Sequence, residues 1–169
     1  MIQLFPPSKH SITGVIDLPA SKSISNRALI LSMLSKSTEQ ITHLADCDDT
    51  KVMLKALHSP LSAFDIGAAG TSMRFLTAYL SNREGEWTLT GSERMKNRPI
   101  ALLVDALNRL GAEIDYIEKE GYPPLRISGK PLQGGKLKLA GNISSQYISA
   151  LLMVAPTMTE GLELTLEGD

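Results

Sequence analysis

The chain has 169 residues, 43% of them hydrophobic and 21% charged, with a formal net charge of −1. That is the make-up of an ordinary globular protein with room for one sizeable core or two small ones. The balanced charge, without blocks of one sign, argues against a nucleic-acid or anionic-membrane surface.

Taken in order, strand-like stretches with alternating or β-branched residues fall at 11–17, 40–44, 86–90, 112–117, 125–128, 136–139 and 162–166. Helical stretches lie between them at about 23–35, 49–58, 71–80, 100–110 and 145–154. Gly111 follows the fourth helix where a C-terminal stop is expected. The longest apolar runs, such as 150–156, are far too short to span a bilayer. Cys47 is the only cysteine, which excludes an intrachain disulfide and fits a reducing, cytoplasmic setting. It sits among carboxylates in LADCDDT and is expected to be inert. His10, His43 and His58 have no zinc-site spacing, and MIQLFPPSKH lacks the charged and apolar regions of a signal peptide and the Arg- and Ser-rich character of a transit peptide, so neither is expected. The expectation is a cytoplasmic α/β protein with no metal or cofactor and no membrane partner. Because the sequence stops on LELTLEGD, a strand running into a turn, a truncated chain is also expected.

One pattern recurs: a strand, a turn of small residues, a polar cluster, then an apolar helix. It is found in DLPASKSISNRALIL, DIGAAGTSMRFLTAYL, LTGSERMKNRPIALLVDAL and LAGNISSQYISALLMVA, which suggests repeated supersecondary units. ALILSML, PIALLVDAL and YISALLMVA are apolar nearly all round, as helices buried on every side are. KLKL and ELTL alternate, as strands with one wet face do. Helices inside and sheets outside is therefore the expected arrangement.

Each turn also delivers free backbone N–H groups to a helix N-terminus, where the helix dipole favours an anion. Ser23, Thr71 and Ser144 would each serve as a helix cap for stability alone. The cations weigh against that simpler account. Lys22 and Arg27 flank the first helix start, Arg74 lies one turn into the third, and Arg94, Lys96 and Arg98 precede the fourth. A cation in the first turn opposes the dipole, so these clusters suit a polyanionic ligand better than they suit helix stability. Neither a GxxxxGK[ST] loop nor a GxGxxG turn occurs, which argues against P-loop and dinucleotide sites.

At these residues the sequence resembles the 5-enolpyruvylshikimate-3-phosphate (EPSP) synthases. LPASKSISNRALIL is similar to their LPGSKSxSNR segment, DIGAAGTSMRFL to GNAGTxxR, LTGSERMKNRPI to ERMxxRP, and GNISSQYISALLM to their SSQ segment. The resemblance implies a lobe of repeated βαβαββ units, with parallel helices packed inside and sheets facing out. Residues 1–19 would hold a strand belonging to a second lobe, and 20–169 an incomplete first lobe whose partner is the missing C-terminal half. It also implies transfer of enolpyruvyl from phosphoenolpyruvate to the 5-hydroxyl of shikimate 3-phosphate. Lys22 would lie between the two substrates and touch the phosphoenolpyruvate phosphate. Ser23 and Arg27 would hold the shikimate carboxylate, and Ser144 and Ser145 the 3-phosphate. Gln146 would reach both ligands, Gly70 and Thr71 would border the phosphoenolpyruvate phosphate, and Arg98 would clamp it with Arg74 in support. The family's acid/base residues lie in its second half, so the isolated chain is expected to be inactive. Two positions depart from the pattern: Ala68 stands where many members have Asn, and Phe75 where many have Pro. The sister enzyme acting on UDP-N-acetylglucosamine, a non-catalytic anion-binding lobe and a plain structural domain stay open as alternatives.

Overall fold

The computed structural model describes residues 3, 5 and 13–168. Its helices are α1 (Lys22–Leu34), α2 (Asp48–His58), α3 (Gly70–Ser81), α4 (Glu93–Lys96), α5 (Ala101–Arg109) and α6 (Ser145–Val154). Its strands are β1 (Ala63–Asp65), β2 (Gly85–Thr90), β3 (Glu113–Tyr116), β4 (Leu125–Gly129), β5 (Gly135–Ala140) and β6 (Leu162–Glu167).

Strands β1 to β4 form one sheet in the order β1-β2-β4-β3. β1 and β2 run parallel with α3 between them, and β4 is antiparallel to both β2 and β3. With α5 joining β2 to β3, residues 63–129 make one complete βαβαββ unit. β5 and β6 pair in parallel across α6, so a further βαβ begins there. Their outer faces carry complementary charges, with Lys136 3.0 Å from Glu163 and Lys138 3.0 Å from Glu167.

Helix α3 is the axis of the core: all twelve of its residues are buried. It packs against α1, α2, α5 and α6 as well as β2 and β4. The sequence expectation of burial on every side fell on the helices at 28–34, 99–107 and 147–155, and it is α3 that meets it. Those three each keep an exposed leucine, Leu31 (47%), Leu102 (56%) and Leu152 (52%). The reason lies in the polar residues of α3. Thr77 Oγ1 donates to the Met73 carbonyl at 2.7 Å and Ser81 Oγ to the Thr77 carbonyl at 2.6 Å. Ser72 Oγ donates to the Asp49 carbonyl at 2.9 Å. Hydroxyls that bond a carbonyl one turn back can be buried at little cost, so a helix that reads as polar still forms the centre.

A small polar network pins α1 to α2 and to the segment before it. Thr50 Oγ1 donates to Asn26 Oδ1 at 2.8 Å, and Ser25 Oγ accepts from the Ala45 N–H at 2.9 Å. Asn26 is fully buried and its Nδ2 has no partner among the described residues. Thr50→Val therefore leaves that side chain without a hydrogen bond, and urea denaturation should show a loss of about 1–3 kcal/mol. A change near zero would mean that the Asn26 contact carries no stability.

Two expected strands do not form. Residues 11 and 12 lie outside the described residues, while 13–17 belong to no strand, with Val15 94% and Ile16 81% exposed. Residues 40–44 pack Ile41 and Leu44 against the core without joining a sheet. Among the described residues neither segment has a neighbouring strand, and a strand exists only through its ladder.

Candidate functional site

The segment DIGAAG builds the head of α3. Asp65 Oδ1 accepts the Gly67 N–H at 2.8 Å, closing a tight turn, and Gly67 takes a positive φ of 56° that a side chain would resist. The Gly67 carbonyl then receives the Ser92 N–H at 3.0 Å, which ties the turn to the strand end after β2. The helix starts at Gly70 with Ala69 as its cap residue, and no side chain caps its amides. The free N–H groups at this end therefore face the site.

Two guanidiniums crowd Gly70. Arg74 Nη1 donates to the Gly70 carbonyl at 2.7 Å. A Cβ built at Gly70 would lie 2.9 Å from Arg74 Nη1 and closer still to Arg98 Nη1. Arg98 has no hydrogen-bonded or ion-paired side-chain partner among the described residues, and Arg74 is 94% buried (relative exposure 6%) with no carboxylate. Burial pushes the Arg74 guanidinium below its ordinary pKa, with Arg98 adding to that and Tyr147 opposing it. Neither guanidinium has a counter-ion among the described residues; Arg74 is buried and Arg98 exposed.

The other predicted residues gather round the same point. Gln146 Nε2 donates to Thr71 Oγ1 at 3.3 Å, joining the heads of α6 and α3. Ser144 Oγ accepts the Gln146 N–H at 3.3 Å, so it caps α6, and Ser145 follows in the first turn. Lys22 opens α1 and lies 3.8 Å from Asp49 Oδ2; Asp49 in turn receives Ser72 of α3 on its carbonyl. Arg27 donates to the Ser23 carbonyl at 3.0 Å and to Ser149 Oγ of α6 at 2.9 Å, and its guanidinium lies 5.4 Å from the Phe75 ring centroid. The heads of α1, α3 and α6 and the α4–α5 link thus converge, with Lys22, Ser23, Arg27, Gly70, Thr71, Arg74, Arg98, Ser144, Ser145 and Gln146 on them.

Some expectations change. The cap of α1 is Ser21, whose Oγ accepts the Ile24 N–H at 3.4 Å, so Ser23 is free of that duty. Thr71 likewise lies inside its helix. Arg94 and Lys96 belong to the separate helix α4, and Lys96 is neutralised by Glu118 at 2.9 Å, which also raises its pKa. It is not part of the anion cluster. Asp49, Ser149 and Tyr147 were not legible as site residues, because each acts through a partner distant in sequence. Asp49 Oδ1 is buried without a partner beside the cleft formed with Gly67, Ala68 and Ala69.

The family model for EPSP synthase (3-phosphoshikimate 1-carboxyvinyltransferase) matches residues 7–63 and 58–168. The chain belongs to the EPSP synthase family. A 3-phosphoshikimate 1-carboxyvinyltransferase of Bacteroides fragilis (strain YCH46) is 58% identical over 158 residues, which are 94% of this chain and 38% of that protein. One from Shewanella pealeana is 42% identical over 184 residues, again 94% of this chain and 43% of that protein. The longer alignment carries positions with no counterpart here, and the EPSP synthase match divides at the turn between α2 and β1. The solved EPSP synthase from Acinetobacter baumannii shares the fold with a TM-score of 0.81 at 24% identity, covering 92% of this chain and 41% of that one. The chain thus spans less than half the length of these EPSP synthases. Among the described residues, no helix is long and apolar enough to cross a membrane.

Proposed function

We propose that this chain is the part of an EPSP synthase that grips both anionic substrates, and that the complete enzyme transfers enolpyruvyl from phosphoenolpyruvate to the 5-hydroxyl of shikimate 3-phosphate, releasing phosphate. The observation that carries this is the pair of guanidiniums, Arg74 and Arg98, beside Gly70 at an uncapped helix head with no carboxylate between them. Phosphate on phosphoenolpyruvate fits that pocket: Thr71 and the α3 amides donate, Arg98 closes over it, and Lys22 approaches from α1. Shikimate 3-phosphate spans the neighbouring gap. Arg27 offers its carboxylate a fork already oriented by Ser149 and Phe75, with Ser23 beside it, while Ser144 and Ser145 offer its phosphate the head of α6. Gln146, bonded to Thr71, lies between the two ligands.

These cations offset the mutual repulsion of two substrates that each bear a phosphate and a carboxylate. Protonation of the phosphoenolpyruvate methylene needs an acid, which on this reading the second half of the enzyme supplies; Asp49 of this cluster lies 3.8 Å from Lys22. A second half of the same enzyme is the proposed partner, with residues 1–19 allied to it, and the proposed setting is the cytoplasm.

Backbone amide NMR tests this reading. Shikimate 3-phosphate should shift residues 22–27 and 144–146, UDP-N-acetylglucosamine should shift none of them, and the chain alone should release no phosphate from the two substrates together. Shifts with the UDP-sugar instead would overturn the substrate, and phosphate release would overturn the need for a second half.

A further inference from the structure

Tyr147 follows Gln146 on α6, and it is buried, 7% exposed. Its hydroxyl donates to the Pro99 carbonyl at 2.8 Å, across 48 positions of sequence. Pro99 directly follows Arg98. On its ring side, the Arg74 guanidinium lies 5.8 Å from the ring centroid. One residue thus touches both cations of the Gly70 pocket, Arg74 through its ring and Arg98 through the next peptide.

The link that carries Arg98 has few other restraints. Arg98 N–H donates to Met95 at 2.9 Å and Ile100 N–H to Gly121 at 2.9 Å, while Pro99 has no N–H to offer. Between those two anchors the backbone offers the Arg98 and Pro99 carbonyls, and of the two it is the Pro99 carbonyl that receives a hydrogen bond among the described residues. Nothing ion-pairs the Arg98 guanidinium among the described residues, and Arg74 repels it, so the link must be held from its backbone. An aromatic ring also presents its negative face to Arg74, which partly relieves a buried charge that has no counter-ion.

We propose that Tyr147 is a positioning residue: it fixes the spacing of Arg74 and Arg98 so that the phosphate pocket at Gly70 is formed before ligand arrives. The inference rests on the phosphate-binding role proposed above for Gly70, Thr71 and Arg98.

Tyr147→Phe removes the hydroxyl and keeps the ring, so the core stays filled. Two readouts on the full 169-residue chain decide the matter. Without ligand, the Arg98 backbone N–H order parameter from ¹⁵N relaxation should fall in the variant, because Arg98 is itself exposed and its link is held through the backbone. With ligand, the Kd for phosphoenolpyruvate should rise about fivefold, the effect of one neutral hydrogen bond, while that for shikimate 3-phosphate moves less than about twofold on the same scale. An unchanged Arg98 order parameter overturns the proposal, as does an equal loss for both ligands, which would mean general loosening of α6. If the unmodified chain binds neither ligand, the proposed function fails, and the Arg98 order parameter still decides the role of Tyr147.

Discussion

Gly70→Ala should weaken phosphoenolpyruvate binding by about tenfold to a hundredfold, the equivalent of losing one charge-assisted hydrogen bond of about 1.5–3 kcal/mol. The new methyl group would occupy the space of Arg98 Nη1 and approach Arg74 Nη1 to 2.9 Å. Both neighbours are tips of flexible side chains, so they swing away and the backbone need not move. The helix itself favours the change, since alanine in place of glycine in an ordinary helical conformation gains up to about 1 kcal/mol. Binding and stability should therefore part company. Isothermal titration with phosphoenolpyruvate should show the loss, the urea midpoint should hold or rise, and shikimate 3-phosphate should bind nearly as before. Unaltered phosphoenolpyruvate affinity would mean that the pocket does not lie at the head of α3.

Phe75→Ala should cost about 3–5 kcal/mol, the range for emptying a fully buried aromatic site. Phe75 is 0% exposed at the middle of α3, against which helices pack from several sides. Neighbours anchored in that many directions cannot collapse into the gap. Native domains hold only about 5–15 kcal/mol in reserve, so this single change takes a large share of it. It also removes the ring that faces the Arg27 guanidinium at 5.4 Å. Leu31→Ala, on a helix that reads as more apolar, is the control: that residue is 47% exposed and should cost less than about 1 kcal/mol. Urea denaturation of both variants checks the ranking, and equal losses would remove α3 from the centre of the fold.

Periodicity located five helices to within one or two residues, because apolar spacing is a local signal, helped by the serine caps of α1 and α6 and by Gly111 after α5. The strands of the four-stranded sheet were legible where they alternate, but β1 was not. Its three residues, Ala63–Asp65, bury only Phe64, too short a pattern to stand out from a turn. Helix α4 was hidden for the same reason, being four residues long. The strands expected at 40–44 and 11–17 show the opposite failure: alternation describes a face, but pairing depends on residues elsewhere. The candidate site was legible as four clusters of residue types. Its wiring was not: nothing in the sequence ties Arg27 to Ser149, 122 positions away, or Tyr147 to Pro99. Even Lys96, which reads as one more cation in its cluster, is cancelled by Glu118 from a distant turn.

The burial of α3 along its whole length has a thermodynamic consequence for its first turn. A helix held on every side does not fray at one end independently of the rest, so its first turn unwinds only when the domain opens. Whatever occupies that turn acts as a lock on the entire folded state. Through mass action, a phosphate-bearing ligand at about a hundred times its Kd adds about 2.7 kcal/mol to the unfolding free energy. On the proposed function, the helix head is where occupancy by ligand and the free energy of the fold become one quantity.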